Sequence, residues 1–179
     1  MKIYTKNGDS GKTSLLNERV TKTNLRIEVN GQIDELMVML AFLIEDIKDK
    51  EEVKLYQDLK EVYKNLFMIT SMIADVNNQY NFGIKEKSID KLEKEIDCIT
   101  QDLPKLKHFI YYTGNQTAML CHQVRAKVRS VERIVVALYE KEEIDNLILL
   151  YLNRLSDYFY TLARYINIQS GNEEDTLNF

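Results

Sequence analysis

The sequence predicts an all-α protein, a bundle of five long helices entered through a glycine-containing amino-terminal loop. Three observations carry that expectation. Apolar residues recur at steps of three and four along five separate stretches, the period of a helix with one buried face. Nowhere does a two-residue alternation persist as a half-buried strand requires. The 179 residues include one proline and six glycines, too few turn formers for a chain of many short strands. At this length one domain, residues 1–179, closes a substantial core, with 1–24 as loop segment, 25–169 as bundle and 170–179 as polar tail.

The loop reads Tyr4-Thr-Lys-Asn-Gly-Asp-Ser-Gly-Lys-Thr-Ser14. Gly8 and Gly11 let the backbone turn its N–H groups toward one point. Lys6 and Lys12, with the hydroxyls of Thr5, Ser10 and Thr13, edge that concavity with donors. A polyphosphate needs such a row of amides, although an ordinary Gly/Asp/Ser-rich turn looks the same. Gly11-Lys12-Thr13 fits the end of a Walker A loop, but the position five before Gly11 is Lys6. With no strand–turn–helix unit around it, a P-loop NTPase is excluded. Asn17 to Asn24 is a polar connection carrying Arg19 and Lys22.

The first helical period begins near Arg26, with Ile33, Leu36, Leu40, Leu43 and Ile47 on one face. Its opening turns hold Glu28, Asp34 and Glu35, more acid than a core-facing stripe requires. Lys48 to Glu52 is a charged break. The second seam is Leu55, Leu59, Val62, Leu66, Ile69 and Ile73, the period of a bundle helix packed at a shallow angle. Val76 to Gly83 is a loop. A shorter helix over Ser88 to Leu103 turns Ile89, Leu92, Ile96 and Ile99 inward and stops at Pro104. Leu106 to Tyr112 is a brief apolar and aromatic segment before Gly114. The fourth helix spans about Asn115 to Lys141, with a seam of Ala118, Cys121, Val124, Val128, Val131, Val135 and Leu138. The fifth spans about Ile144 to Ile168, with Ile148, Leu152, Leu155, Phe159, Leu162 and Ile166 inward. Ser170 to Phe179 is expected to fray.

A net charge of −4 speaks against broad nucleic-acid or anionic-membrane binding. No apolar run approaches the roughly 20 residues of a membrane span, and no signal core opens the chain. Cys98 and Cys121 sit within helical patterns and imply a reducing interior. With two histidines, His108 and His122, no zinc spacing exists. The chain reads as soluble and cytoplasmic.

Beside the fourth seam runs a polar stripe of His122, Arg125, Arg129, Glu132 and Arg133; beside the fifth runs another of Arg154, Asp157, Thr161 and Arg164. Arginines on successive turns lie about 6 Å apart and repel. They make sense where anions face them, either carboxylates such as Asp34, Glu35 and Asp157 or a ligand phosphate. A structural ion-pair network between helices or subunits satisfies the same spacing. On spacing alone His122 reads as a satisfied helix histidine before an acid or base, and Phe109, Tyr111 and Tyr112 as core or interface aromatics before a cofactor platform.

Three separated blocks narrow this. Tyr4 to Thr13, Gly31-Gln-Ile-Asp-Glu-Leu36, and Arg129-Ser-Val-Glu-Arg133 with Asn153-Arg-Leu-Ser-Asp-Tyr158 together closely resemble the PduO-type ATP:cob(I)alamin adenosyltransferases. The resemblance runs from residue 1 to about Asn167. It implies a ferritin-like five-helix bundle, assembled as a homotrimer with sites between subunits. It also implies transfer of the 5′-deoxyadenosyl group of MgATP to the cobalt of cob(I)alamin, with release of triphosphate. A non-catalytic carrier or sensor of adenosylcobalamin and ATP with the same fold is the alternative. Implied partners are a flavin reductase and an adenosylcobalamin-dependent enzyme, with no nucleic acid and no membrane.

By that resemblance the ATP side comprises Thr5, Lys6, Asn7, Gly8, Asp9, Gly11, Thr13, Ser14, Lys22, Arg129, Arg133 and Asn153. Arg129, Glu132, Arg133 and Asp34 are the catalytic set, with Asp34 paired across the subunit boundary to Arg129. Phe109, Tyr112 and His122 form the cobalamin side, Phe109 beneath the corrin ring where it helps expel the lower axial ligand. Mg²⁺ arrives on the ATP phosphates. The chain departs from the family pattern at Tyr112-Thr113-Gly114, where many members have Pro-Gly-Gly, and at Ser130, where they have a second arginine. Cobalt(I) is itself a nucleophile, so no serine or cysteine nucleophile is required. The protein must place the 5′ carbon in line with cobalt and stabilise the departing triphosphate.

Overall fold

A computed structural model of the chain describes residues 2–48, 50 and 52–177. Five helices lie among those residues: α1 (Leu25–Lys48), α2 (Val53–Ala74), α3 (Glu86–Gln101), α4 (Gln116–Tyr139) and α5 (Leu147–Gln169). The seams expected from spacing are the ones buried on α1, α2, α4 and α5, apart from the half-buried Leu55 and Ile166. Burying each such Leu or Ile contributes roughly 1.5–3 kcal/mol. The seam of α3 is shallower: Leu92 is buried, while Ile89, Ile96 and Ile99 sit half-buried at the core's edge. The wholly buried hydroxyphenyl of Tyr151 on α5 finds Asn65 Nδ2 of α2 at 3.2 Å, so its polar end is satisfied.

Helix α4 packs on both α1 and α5, α2 on α1, and α3 on α5, giving the spatial order α2–α1–α4–α5–α3. Lys54 to Glu95, and Lys91 to Asp58 and Glu61, bridge α2 to α3. The bundle has two ends. At one lie the start of α1, the end of α2, the end of α4 and the start of α5, tied where the buried Arg26 donates Nε to Glu142 at 2.6 Å and Nη1 to the Ile73 carbonyl at 2.8 Å. At the other, Thr117 on α4 donates to Asp46 of α1 at 2.7 Å.

Helix boundaries differ from the periodic reading by up to three residues, each for a local reason. Asn115 is the cap of α4, its side chain accepting from Thr117 N at 2.8 Å. Asp145 accepts from Leu147 N at 2.9 Å, so α5 starts there and not at Ile144. Helix α3 ends at Gln101 because the residue before Pro104 is pushed out of helical geometry.

Two short antiparallel ribbons correct the expectation of helix and loop alone: β1 (Lys12–Ser14) with β2 (Arg19–Thr21), and β3 (Phe109–Ile110) with β4 (Thr176–Leu177). The stretch after the loop is thus half of a hairpin, not plain connection. The tail does not fray through Leu177 either, because β4 pairs with β3; Asn178 and Phe179 lie outside the described residues. No helix among the described residues is long and apolar enough to cross a membrane.

Candidate functional site

The hairpin presents the loop at its open end. Lys6 and Gly11 take φ of 61° and 74°, and Asp9 N donates to Lys6 O at 3.3 Å and Gly11 N to Gly8 O at 3.2 Å. A lysine in that left-handed region costs on the order of 1–3 kcal/mol and is held only by its surroundings. Those surroundings are identifiable: Lys22 N donates to Gly11 O at 2.9 Å, and the Arg19 guanidinium donates to the Asn7 carbonyl. A β-carbon on Gly8 would stand 3.3 Å from Lys22 Nζ. Thr5, Asn7, Gly8 and Lys22 are therefore neighbours, and all but the half-buried Gly8 are exposed. Leu15 is buried, Leu16 N donates to Ala74 O at 3.2 Å and Asn17 Nδ2 to Asp75 Oδ1 at 2.7 Å, which fastens the hairpin to the end of α2.

On α4, Glu132 Oε1 accepts from Asn153 Nδ2 at 3.0 Å and Arg133 Nη2 donates to Ser130 Oγ at 3.1 Å. Arg129 is exposed and has no hydrogen bond or ion pair among the described residues. The carboxylates suggested as its facing anions are engaged elsewhere or face outward. Glu35 takes Lys127 at 2.5 Å, Asp157 takes Arg154 at 3.2 Å, and Asp34 is exposed without a hydrogen-bond or ion-pair partner among the described residues. The α5 stripe, in contrast, is an intramolecular network: Arg154 reaches Glu93 of α3 at 2.9 Å, Thr161 bonds its own helix at Asp157 O, and Arg164 binds Glu174.

The aromatic residues lie toward the opposite end. Phe109 is 74% exposed. Tyr112 folds back over His122, ring centroids 4.5 Å apart, and the Arg125 guanidinium sits 4.6 Å from the Tyr112 ring and 5.8 Å from that of Tyr160. His122 is 4% exposed and neither ring nitrogen has a hydrogen-bond partner among the described residues, which show no sign of the satisfied helix histidine its position suggested. Burial first, and the Arg125 charge second, push its pKa down to about 4 against a weaker opposing pull from Glu174. The ring is neutral near pH 7, and an incoming molecule meets Tyr112 before it.

No hydrogen bond or ion pair among the described residues joins the hairpin to α4 within the chain. Both nevertheless lie toward one end, since the hairpin docks where α4 finishes. No three His, Cys, Asp or Glu side chains converge among the described residues.

Residues 3–166 match the family described as cobalamin adenosyltransferase. The chain belongs to the cobalamin adenosyltransferase family. The corrinoid adenosyltransferase of Bacillus subtilis is 40% identical over 96% of this chain and 89% of that one. Human corrinoid adenosyltransferase MMAB is 37% identical over 97% of this chain and 72% of that one. Among solved structures, a variant PduO-type ATP:corrinoid adenosyltransferase from Lactobacillus reuteri, complexed with cobalamin and ATP, superposes with a TM-score of 0.93 at 33% identity. It covers 99% of this chain and 100% of that one.

For this adenosyltransferase the structure adds residues that spacing did not single out. Arg19 props the loop through the Asn7 carbonyl; its place in a three-residue strand is too short to signal by alternation. Lys127 ties α4 to Gln32 and Glu35 of α1. Tyr160 completes the cage around Arg125, one turn before Arg164 on α5.

Proposed function

We propose that this adenosyltransferase moves the 5′-deoxyadenosyl group of MgATP onto the cobalt of cob(I)alamin and releases triphosphate. It works as a cytoplasmic homotrimer whose sites are completed by neighbouring subunits. One observation carries the reading: α4 presents Tyr112-covered His122 on one turn and the partnerless Arg129 about 10 Å further along its axis. A planar apolar ring at the first position and a phosphate chain at the second leave the 5′ carbon between them.

The residues divide the work. Thr5, Lys6, Asn7, Gly8 and Lys22 hold the triphosphate with Arg129 and Arg133. A triphosphate carries about four negative charges and Mg²⁺ offsets two, so these cations supply the rest in an acidic protein. Glu132 orients Asn153 toward the adenosine. Phe109 packs beneath the corrin and excludes the lower ligand, which makes cobalt(II) easier to reduce. Mg²⁺ supplies charge neutralisation on the phosphates when bound. For the trimer, Asp34 is partnerless beside the exposed Val38 and Phe42, which with Met39 and Leu120 line an open groove of about 530 Å³. A second copy of the chain suits both the charge and the apolar rim. The free cysteines Cys98 and Cys121 fit a reducing compartment.

The test is an ultraviolet–visible spectrum of reduced cobalamin with MgATP and the protein. Appearance of the carbon–cobalt product supports transfer. Tight binding of both substrates without product would assign the chain to carriage or sensing instead.

A further inference from the structure

The strand that carries Phe109 is not held by α4 beside it but by the carboxy-terminal segment. Phe109 pairs with Leu177 and Ile110 with Thr176, and Tyr111 N donates to Asp175 O at 2.9 Å. Directly opposed residues in an antiparallel ladder share a face. The exposed Phe109 and the half-buried Leu177 therefore share one face of the ribbon, while Ile110, 5% exposed, turns to the other. A ribbon of two residues per strand cannot hold its register alone.

What fixes it is a side chain on α5. Arg164 donates Nε to Glu174 Oε1 at 2.6 Å and Nη2 to Glu174 Oε2 at 2.9 Å, a two-pronged bond that matches the flat guanidinium fork. The same Nη2 donates to the Pro104 carbonyl at 2.9 Å. One guanidinium thus binds the segment leading into β3 and the segment leading into β4 at once. The pair is shielded, with side-chain exposures of 8% and 13%, so water competes poorly for either partner. One turn further, Asn167 Nδ2 donates to Thr113 O at 2.9 Å and its Oδ1 accepts from Asn115 N at 2.8 Å, which fastens the far side of the same segment.

We infer that Arg164 is a positioning residue for the corrinoid: by binding Glu174 and Pro104 together it holds the Phe109–Leu177 ribbon in register, and so governs the corrin side of the reaction without touching either substrate. This rests on the adenosyltransferase reading above. The ATP side lies toward the other end of the bundle and does not depend on the latch.

Glu174→Gln keeps the shape and weakens the charged bond, while Arg164→Lys keeps the charge and replaces the fork with a single ammonium. Both are compared with wild type for amide exchange at Tyr111, for corrinoid affinity by equilibrium titration, and for the KM values of each substrate. The expected result is faster exchange at Tyr111 and a corrinoid KM raised on the order of 10²-fold, the scale of a misplacement near 1 Å, with the ATP KM unchanged. The spectrum of bound cobalt(II) corrinoid should show less of the four-coordinate form. Unchanged exchange at Tyr111, or equal rises in both KM values, overturns the inference. If Arg164→Lys does not fold, Glu174→Gln decides the matter. Absence of product in wild type would overturn the activity instead, and exchange with corrinoid titration would still settle the latch.

Discussion

Lys22 Nζ lies 3.3 Å from where a β-carbon on Gly8 would stand. The glycine is the wall against which the ammonium rests, so side-chain bulk at 8 displaces a positive charge from the loop. Gly8→Ala asks the flexible lysine to give by a few tenths of an ångström and should be mild. Gly8→Val should raise the KM for ATP by about 10–100-fold, because a hydrogen bond to a charged group contributes roughly 1.5–3 kcal/mol. Steady-state kinetics check this, with an unchanged corrinoid KM as the companion outcome.

Arg129 is exposed and has no hydrogen bond or ion pair among the described residues, so its removal breaks none of the bonds they show within the subunit. Arg129→Ala should keep the wild-type melting temperature and lose on the order of 10²–10³ in kcat, the cost of deleting one donor at a developing anion. Wild-type-like turnover in that variant would remove Arg129 from the phosphate site.

The contrast between Arg129 and Arg164 shows what could be read from the chain and what could not. Spacing fixes the side of a helix on which a residue stands, and four of the five apolar seams followed directly from that. It does not say what faces a polar stripe. Arg154 and Arg164 find carboxylates on α3 and in the tail, whereas Arg129 finds none among the described residues, yet all three carry the same periodic signature. The tail read as frayed because its partner, Phe109–Ile110, is a two-residue strand with no alternation to detect. The amino-terminal loop was legible as a glycine-containing turn, but Arg19 and the strained Lys6 emerge only when the hairpin closes.

Asp34 sits on α1 with no ion-pair partner among the described residues, beside the exposed Val38 and Phe42. If a neighbouring subunit's cation meets it, Asp34→Asn should shift sedimentation toward smaller species at low protein concentration and raise the KM for ATP. The change should shrink as salt is added, because screening weakens the pair it removes. Identical sedimentation for variant and wild type would assign Asp34 to solvent.

Gly114 holds a φ of 112°, and a β-carbon there would stand 2.9 Å from Asn167 Cγ. Asn167 cannot swing away, since its amide binds Thr113 O and Asn115 N. Gly114→Ala should therefore destabilise by roughly 1–3 kcal/mol through overpacking and an unfavourable backbone. A urea titration reads it as a lower midpoint at unchanged slope; an unaltered midpoint would show that the junction before α4 yields freely.

His122 makes the bundle acid-sensitive in a defined window. In the unfolded chain its ring takes a proton near pH 6.5, whereas in the fold burial and then Arg125 hold the pKa down to about 4. The groups facing the ring are Arg125 on its own helix, Tyr112 from the segment before α4, Tyr160 on α5, and Glu174 of the tail, which alone pulls the other way. Between the two values the unfolded state binds more protons, so stability is whole above the upper value and is lost as pH falls toward the lower. From about pH 7.5 to about pH 5 the loss should be on the order of 2 kcal/mol. Replacing the ring with one that cannot titrate, His122→Phe, keeps the stack with Tyr112 and should flatten that part of the pH profile. Urea midpoints for both proteins at the two pH values decide it: parallel slopes would mean that His122 takes its proton in the fold as readily as in the unfolded chain.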